Sequence, residues 1–240
     1  MDLRTAFEPT GVTAVVGAGG KKSTLYALAA ELERAVLTAT VRIPPFEDRV
    51  ERLEVTEDPI GTVRGNGTWP LGVVPGRDGV RDRYLGYDTD RIDELAATTD
   101  VPILTKADGA RTRWIKAPAE EEPQVPAAAD LVVPVASVRA VGERIDEEHV
   151  HRPERLASLL DRPPGSRIRP VDVAAVLGDQ RGGLKDVPAD ARVVPLVNMV
   201  DDGELRAVAE GIAEELLAVE RIGRVVLGRM DRGEVVGVLQ

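Results

Sequence analysis

Residues 12–24 read Val-Thr-Ala-Val-Val-Gly-Ala-Gly-Gly-Lys-Lys-Ser-Thr, and this stretch decides the fold class. The apolar and β-branched residues 12–16 are typical of a buried strand, and the glycines after them are typical of a tight loop. From Ser23 the pattern becomes helical, because Leu25, Leu28 and Leu32 recur every three or four residues. The segment therefore predicts a strand, a glycine-rich loop and a helix in direct succession.

This succession of elements is suited to binding phosphate groups. Glycines let backbone N–H groups approach phosphate oxygens, and the N-terminus of a helix favours negative charge. We therefore expect Gly17, Gly19 and Gly20 to shape a phosphate cradle, with Lys21 or Lys22 neutralising phosphate charge. The loop is shorter than the usual one, in which four residues separate the first glycine from the Gly-Lys pair. A glycine-rich turn without a ligand is the alternative interpretation.

Hydroxyl and carboxylate side chains near this loop predict a Mg²⁺ site. Ser23 or Thr24 can ligate the ion from the first turn of the helix. Asp108 follows the apolar run 103–105, where a carboxylate can hold a metal-bound water or orient an attacking water. Thr40, at the end of the second predicted strand, is a further candidate ligand. The alternatives are a turn role for Asp108 and simple β propensity for Thr40.

Strands and helices alternate along the rest of the chain. Strands are predicted at 35–40, 101–105, 131–135 and 193–197, and as a final pair at 225–227 and 235–239. Helices are predicted at 88–98, 152–160, 171–177 and 203–219. The stretch from about 41 to 87 is rich in Gly, Pro and Arg, and we expect an inserted lobe of loops and edge strands there. The pattern predicts one α/β domain over 1–240 with a layered, mostly parallel sheet.

The composition excludes several classes of function. The chain has 41 acidic and 31 basic residues, a net charge of −10, which argues against binding nucleic acid or an anionic membrane. It has no cysteine, which excludes disulfides, thiolate metal sites and cysteine nucleophiles. No apolar run approaches the roughly 18 residues of a membrane span, and the N-terminus lacks an export signal pattern. We therefore expect a cytoplasmic protein.

Lysine is scarce, since only five of the 31 basic residues are lysine. Many carboxylates, few lysines and 3% aromatic residues are typical of a halophilic protein, although an arginine-rich genome is an alternative explanation. In such a chain a lysine is expected where a compact ammonium is required. Lys116 lies in a proline-rich, rigid loop and is expected to reach an anionic substrate, unless it is a lone surface lysine. Arg152 is expected to bind an anion with its planar guanidinium.

Three further runs carry a family resemblance. They are Asp108-Gly109-Ala110-Arg111, Lys116-Ala117-Pro118-Ala119 with Glu122-Pro123-Gln124-Val125-Pro126, and His149-Val150-His151-Arg152. Together with the glycine loop, and in this order, they resemble the YqeC family over residues 10–201. These are accessory proteins of selenium-dependent molybdenum hydroxylases. The resemblance implies a P-loop NTPase-like fold and a role in making or inserting the labile selenium cofactor.

The chain departs from the family pattern at three places. Lys22 stands where a hydroxyl residue usually follows the phosphate lysine, so the resemblance favours Lys21 as that lysine. Lys106 stands where a glutamate is expected two residues before Asp108. The run from Asn198 to Asp201 resembles an Asn-Lys-x-Asp base-reading motif with Met in place of Lys. Asp201 is therefore a candidate nucleotide ligand or, alternatively, a cap of the following helix.

The resulting hypothesis is a cytoplasmic P-loop protein that binds ATP or GTP with Mg²⁺. With Asp108 and Lys21 as catalytic residues it hydrolyses the nucleotide and assists maturation of a selenium-dependent molybdenum hydroxylase, its possible partner. A non-hydrolytic adaptor, which binds a nucleotide or a cofactor phosphate and docks the client enzyme, is the first alternative. A small-molecule P-loop kinase is the second.

Overall fold

The structure is a computed structural model that describes residues 1–240. Ten of its twelve strands form one sheet, in which only the last strand runs antiparallel to its neighbour. The strands are β1 (Val12–Gly17), β2 (Val36–Ala39), β3 (Arg52–Val55), β4 (Leu71–Val74), β5 (Ile103–Lys106), β6 (Ile115–Lys116), β7 (Ala129–Ser137), β8 (Val150–His151), β9 (Arg192–Val193), β10 (Leu196–Asn198), β11 (Val225–Arg229) and β12 (Glu234–Leu239). The helices are α1 (Leu3–Phe7), α2 (Lys21–Glu31), α3 (Pro59–Arg64), α4 (Thr89–Ala96), α5 (Pro153–Leu159), α6 (Pro170–Gly178) and α7 (Gly203–Leu217).

The strand order of the large sheet is β12-β11-β10-β7-β1-β5-β2-β4-β3, with β9 also paired to β7. The α/β class and the mostly parallel sheet are thus confirmed. The edge strands expected within 41–87 are β3 and β4, which extend the sheet beyond β2. Strands β6 and β8 form a separate two-stranded parallel ribbon. No helix of the protein has both the length and the apolar character needed to cross a membrane.

Two predicted boundaries were wrong. Helix α2 begins at Lys21 rather than Ser23, because the Thr24 N–H already donates to the Gly20 carbonyl at 2.9 Å and closes the first turn. The strand expected at 193–197 is divided into β9 and β10. Pro195 lies between them and has no N–H to donate to the sheet.

Both faces of the sheet are buried. On β1, Val15 packs with Leu25 and Leu28 of α2 on one face. Its neighbour Val16 belongs to the cluster on the other face, which includes Ile92 of α4. Burial on both faces explains why the central strands are continuously apolar rather than alternating.

The parallel arrangement brings the carboxyl ends of neighbouring strands to one edge of the sheet. Because β1 lies between β5 and β7, the glycine loop after β1 has neighbours on both sides. Asp108 follows β5, Thr40 follows β2, and Asn198 ends β10. Ligands of open α/β sheets bind at this carboxyl edge. The fold therefore gathers residues that lie far apart in the sequence.

Candidate functional site at the carboxyl edge of the sheet

The glycine loop packs tightly against the neighbouring strands. Gly20 has a φ of 135°, and a Cβ atom there would lie 2.0 Å from Nδ2 of Asn198. Gly19 has a φ of 82°, and a Cβ atom there would lie 2.5 Å from the backbone nitrogen of Ser137. A side chain at either position would clash and strain the backbone. The packing of the protein itself therefore requires both glycines.

Some backbone N–H groups of the loop are hydrogen-bonded within the protein, and others are not. The N–H of Ala18 donates to the Val135 carbonyl and that of Gly19 to the Arg113 carbonyl, each at 2.8 Å. The N–H groups of Gly20, Lys22 and Ser23 have no acceptor within the protein. They lie at the start of α2, where the helix dipole adds positive potential. This end of the loop retains the donors that a phosphate group needs.

Lys21 turns inward beneath the loop. Its ammonium lies 2.8 Å from Oδ1 of Asp108 and also donates to the Gly17 carbonyl. The Gly17 N–H donates to Oδ2 of the same carboxylate at 2.9 Å. Both charged side chains are almost fully buried, with exposed fractions of 5% and 2%. The predicted catalytic pair is thus in direct contact, but as a buried ion pair.

Lys22 points away from Lys21, as expected for adjacent residues at the start of a helix. Its side chain is half-buried and makes no ion pair or hydrogen bond within the protein. Burial lowers the pKa of Lys22, and the nearby cations Arg83 and Arg49 lower it further. Lys22 is therefore a cation without an ion-pair partner at the start of α2, on the side of Arg49 and Arg83.

Asp108 also contacts Lys116, whose ammonium lies 2.9 Å from Oδ2. Burial alone would raise the pKa of Asp108, but the ammonium groups of Lys21 and Lys116 hold it below its usual range. Asp108 is therefore ionised near neutral pH. Because Asp108 binds both Lys21 and Gly17 of the glycine loop, its carboxylate connects the loop to the segment 106–126, which also carries Lys116.

The chain of charges continues from Lys116 to the surface. The Lys116 ammonium lies 2.6 Å from Oε2 of Glu122, and Arg152 donates to both oxygens of Glu122 at 2.8 and 3.2 Å. Burial opposes ionisation of Glu122, but the hydrogen bond from Arg152 and the charge of Lys116 lower its pKa to about 2. Lys116 and Arg152, predicted to bind an external anion, thus share an internal carboxylate.

The ribbon of β6 and β8 orients these cations. Ile115 and Val150 are fully buried on its inner side. Lys116 and His151 are register partners and lie on the opposite side. His149, two residues before His151, stacks against Trp114 with ring centroids 4.3 Å apart. The alternation along β8 therefore buries Val150 and places His151 beside Lys116, while Arg152 follows the strand as the first residue of the turn into α5.

Comparison with known proteins identifies the family. The model of the family described as YqeC protein matches residues 13–154, more than half of the chain. The chain belongs to the YqeC family. It is 30% identical over 203 residues to a protein of Escherichia coli strain K12 described as the uncharacterized protein YqeC. The aligned residues cover 82% of this chain and 79% of the relative.

The part that matches the YqeC model contains the glycine loop and every member of the charged chain from Lys21 to Arg152. Asn198 and Asp201 lie outside it. The Asp201 carboxylate pairs with Arg139 at 2.7 Å, and the neighbouring Asp202 caps α7 by accepting the Leu205 N–H. The helix-capping role that was the alternative for Asp201 therefore belongs to Asp202.

The sequence did not predict the roles of two residues of this YqeC-family site, Asn198, which had been noted only as the start of a base-reading motif, and Glu122. Asn198 donates to the Gly19 carbonyl at 2.7 Å and accepts from the Met230 N–H at 3.0 Å, so it connects the loop to the residue that follows β11. Glu122 had been named only as part of the proline-rich run that carries the family resemblance. The sequence feature that could have pointed to Glu122 is Lys116 in the same rigid loop, because an ammonium that becomes buried there needs a carboxylate partner.

The four predicted Mg²⁺ ligands differ in how free their oxygens are. Thr24 is buried and donates to the Gly20 carbonyl, while Thr40 donates to the Gln124 carbonyl at 2.7 Å. Both oxygens of Asp108 face ammonium groups. Ser23 is half-buried, and its hydroxyl has no partner within the protein. Of the four, Ser23 fits a direct Mg²⁺ ligand, which suits an ion that keeps several waters and binds mainly through phosphate.

Proposed function

We propose that this YqeC-family chain binds a nucleoside triphosphate, ATP or GTP with Mg²⁺, at the loop 17–24. One observation carries the proposal: the unpaired amides of Gly20, Lys22 and Ser23 lie beside the buried Lys21–Asp108 pair at the carboxyl edge of a parallel sheet. Amides at a helix start bind phosphate, and the nearby lysines supply the matching charge.

In this proposal the side chains divide the work between them. The amides and the free Lys22 ammonium bind phosphate oxygens from the solvent side. Asp108 fixes the ammonium groups of Lys21 and Lys116 behind the loop, where their charge stabilises the charge that develops as the terminal phosphate is released. Mg²⁺, held by Ser23 and by phosphate, would neutralise further phosphate charge.

The proposed cellular role is cytoplasmic assistance in the maturation of the selenium cofactor of a molybdenum hydroxylase. Its support is family membership together with the resemblance of residues 108–126 and 149–152. The structure adds that these two stretches meet in one place, where Arg152 holds Glu122. The client enzyme or its cofactor is the proposed partner.

A non-hydrolytic adaptor is the second candidate function. One observation favours it: each oxygen of Asp108 already contacts an ammonium, and Oδ2 also accepts the Gly17 N–H. A carboxylate engaged in this way is a poor base for an attacking water. In this reading the nucleotide is held without turnover.

The proposal is tested by titrating wild type, Lys21→Ala and Lys22→Ala with fluorescent ATP and GTP analogues. Arg206→Ala is the charge-matched control, because Arg206 is exposed and lies outside the loop. Loss of a charged phosphate contact weakens binding by about one to two decades. Provided that urea unfolding shows each variant to be folded under the assay conditions, a loss in Lys21→Ala would identify Lys21 as the phosphate lysine, and a loss in Lys22→Ala would identify Lys22. If neither variant differs from Arg206→Ala, the loop is structural and the proposal fails. Phosphate release by the wild type then separates hydrolase from adaptor, and transfer to an added acceptor would reveal a kinase.

A further inference from the structure

Glu122 is held in the way an anionic ligand is held. One oxygen lies 2.6 Å from the Lys116 ammonium, and the two nitrogens of the Arg152 guanidinium reach both oxygens. A planar arginine fork together with a lysine is a general recognition pattern for carboxylate and phosphate groups. Here the position is taken by a side chain of the same protein.

The position opens toward solvent and not toward the interior. Side-chain exposure rises from 1% at Lys116 to 20% at Glu122 and 28% at Arg152. On the inner side, the cavity next to Asp108 and Lys116 has a volume of about 10 Å³, room for at most one water molecule. An anion that reaches Lys116 must therefore come from the solvent side and displace Glu122.

The backbone around Glu122 is anchored independently of its side chain. The Lys185 ammonium binds the carbonyl oxygens of Glu120 and Glu122 at 2.9 and 2.6 Å. The carboxylate can therefore rotate toward solvent while the main chain stays in place. The neighbouring Glu120 and Glu121 side chains are already exposed, so the local backbone presents carboxylates to water.

Arg152 binds Glu122 from a backbone position where an arginine does not stabilise the helix. It occupies the N-cap position of α5, where Ser, Thr, Asp or Asn stabilise a helix, and it makes no capping hydrogen bond. Its φ of 65° is a left-handed conformation that costs a non-glycine residue on the order of 1 kcal/mol. Strain of this kind is concentrated at functional sites.

We propose that Lys116 and Arg152 form a subsite for the oxyanion of a second small-molecule ligand, and that Glu122 occupies this subsite until the ligand displaces it. The ligand class is a small molecule that carries a carboxylate or phosphate group. His151, the register partner of Lys116, lies beside the subsite. Burial, together with Arg152 and Lys116, lowers the pKa of His151 to about 4, so it is a neutral hydrogen-bonding group near pH 7. The subsite does not depend on nucleotide binding at the glycine loop.

Calorimetric titration of the full chain with inorganic phosphate, and separately with acetate, tests the subsite. If the Glu122 carboxylate fills the subsite nine-tenths of the time, it weakens the apparent affinity for an added anion about tenfold. Glu122→Gln is therefore expected to bind at least one of the two anions at least about tenfold more tightly than wild type does. The anion that gains more identifies the group that the subsite prefers. The gain should vanish when Arg152→Gln is added to Glu122→Gln.

A second background separates this subsite from the glycine loop. In whichever of Lys21→Ala and Lys22→Ala abolishes nucleotide binding, the gain caused by Glu122→Gln should persist, whereas phosphate bound at the loop should be lost. Unchanged affinity of a folded Glu122→Gln for both anions would overturn the proposal, as would a gain that Arg152→Gln leaves intact. If Glu122→Gln does not fold, Glu122→Asp decides, because its shorter side chain retracts from Arg152 but keeps the charge. Its affinity for phosphate or acetate should exceed that of wild type, and equal affinity for both would overturn the proposal.

Discussion

Replacing Asp108 by asparagine is expected to lower the free energy of unfolding by about 3–5 kcal/mol near neutral pH, the usual cost of removing one partner from a buried ion pair. The substitution keeps the size of the side chain and removes only its charge. Lys21 and Lys116, which are 5% and 3% exposed as residues, would then lack their shared counterion. Lys116 retains Glu122, so Lys21 carries most of the penalty.

Urea unfolding at constant m-value measures this change. Asp172→Asn is the matched control, because Asp172 is equally buried and also bound by two cations, but its partners Arg162 and Arg169 are partly exposed and can be rehydrated. Its expected cost is about 1–3 kcal/mol. Adding Lys21→Met to Asp108→Asn should restore part of the lost stability, since it removes the unpaired charge. If Asp108→Asn costs no more than Asp172→Asn, or if the double variant is less stable than Asp108→Asn, the buried pair does not have the energetic role argued here.

Three further outcomes follow from the same structure. The pKa of Glu122 is lowered to about 2 in the fold, so its contribution to the free energy of unfolding is complete above its unfolded pKa of about 4.5 and is lost as the pH falls toward 2. Between these two pH values, the free energy of unfolding should fall by on the order of 3 kcal/mol more in wild type than in Glu122→Gln. An equal fall in the two proteins would contradict this. The net charge of −10 predicts an unfolding midpoint that rises between low and molar KCl, and an unchanged midpoint would contradict a halophilic character. Gly20→Ala should lower the free energy of unfolding by about 2 kcal/mol or more, because Gly20 has a φ of 135° and a Cβ there would clash with Asn198. Gly67→Ala is the control and should be near neutral, since nothing lies within 4 Å of the new Cβ. Equal denaturation midpoints for the two variants would contradict the packing argument.

The sequence was sufficient for the fold class because both faces of the central strands are buried. Continuous apolar runs such as Val12–Gly17 report that burial directly, and the amphipathic α7 reports a helix at the surface. The ribbon of β6 and β8 was not predicted. Each of its strands has two residues, too few for any periodicity to appear.

Most charged members of the site could be predicted one by one, but Glu122 and the contacts between the members could not. Asp108, Lys116 and Arg152 were each singled out by residue type and position. The contacts that join them run between distant residues, such as Arg152 with Glu122, 30 positions apart, and Asn198 with Gly19, 179 apart. Such pairings depend on strand order, which hydrophobic patterns do not specify. The sequence therefore predicted that Lys116 and Arg152 bind an anion, but not that the protein supplies one itself.

The distribution of lysine links the composition to the site. Of the five lysines, Lys21, Lys106 and Lys116 are buried at the carboxyl edge of the sheet, although lysine is among the residues least often buried. Lys106 has one hydrogen bond, to the Arg42 carbonyl at 2.9 Å, and burial, then the charge of Lys21, lowers its pKa to about 7. Against these three lysines stand one buried carboxylate, Asp108, and the partly exposed Glu122. A buried excess of positive charge is costly to fold, and bound anions offset that cost. The same imbalance therefore favours phosphate at the glycine loop and an oxyanion between Lys116 and Arg152, and either ligand should raise the unfolding midpoint.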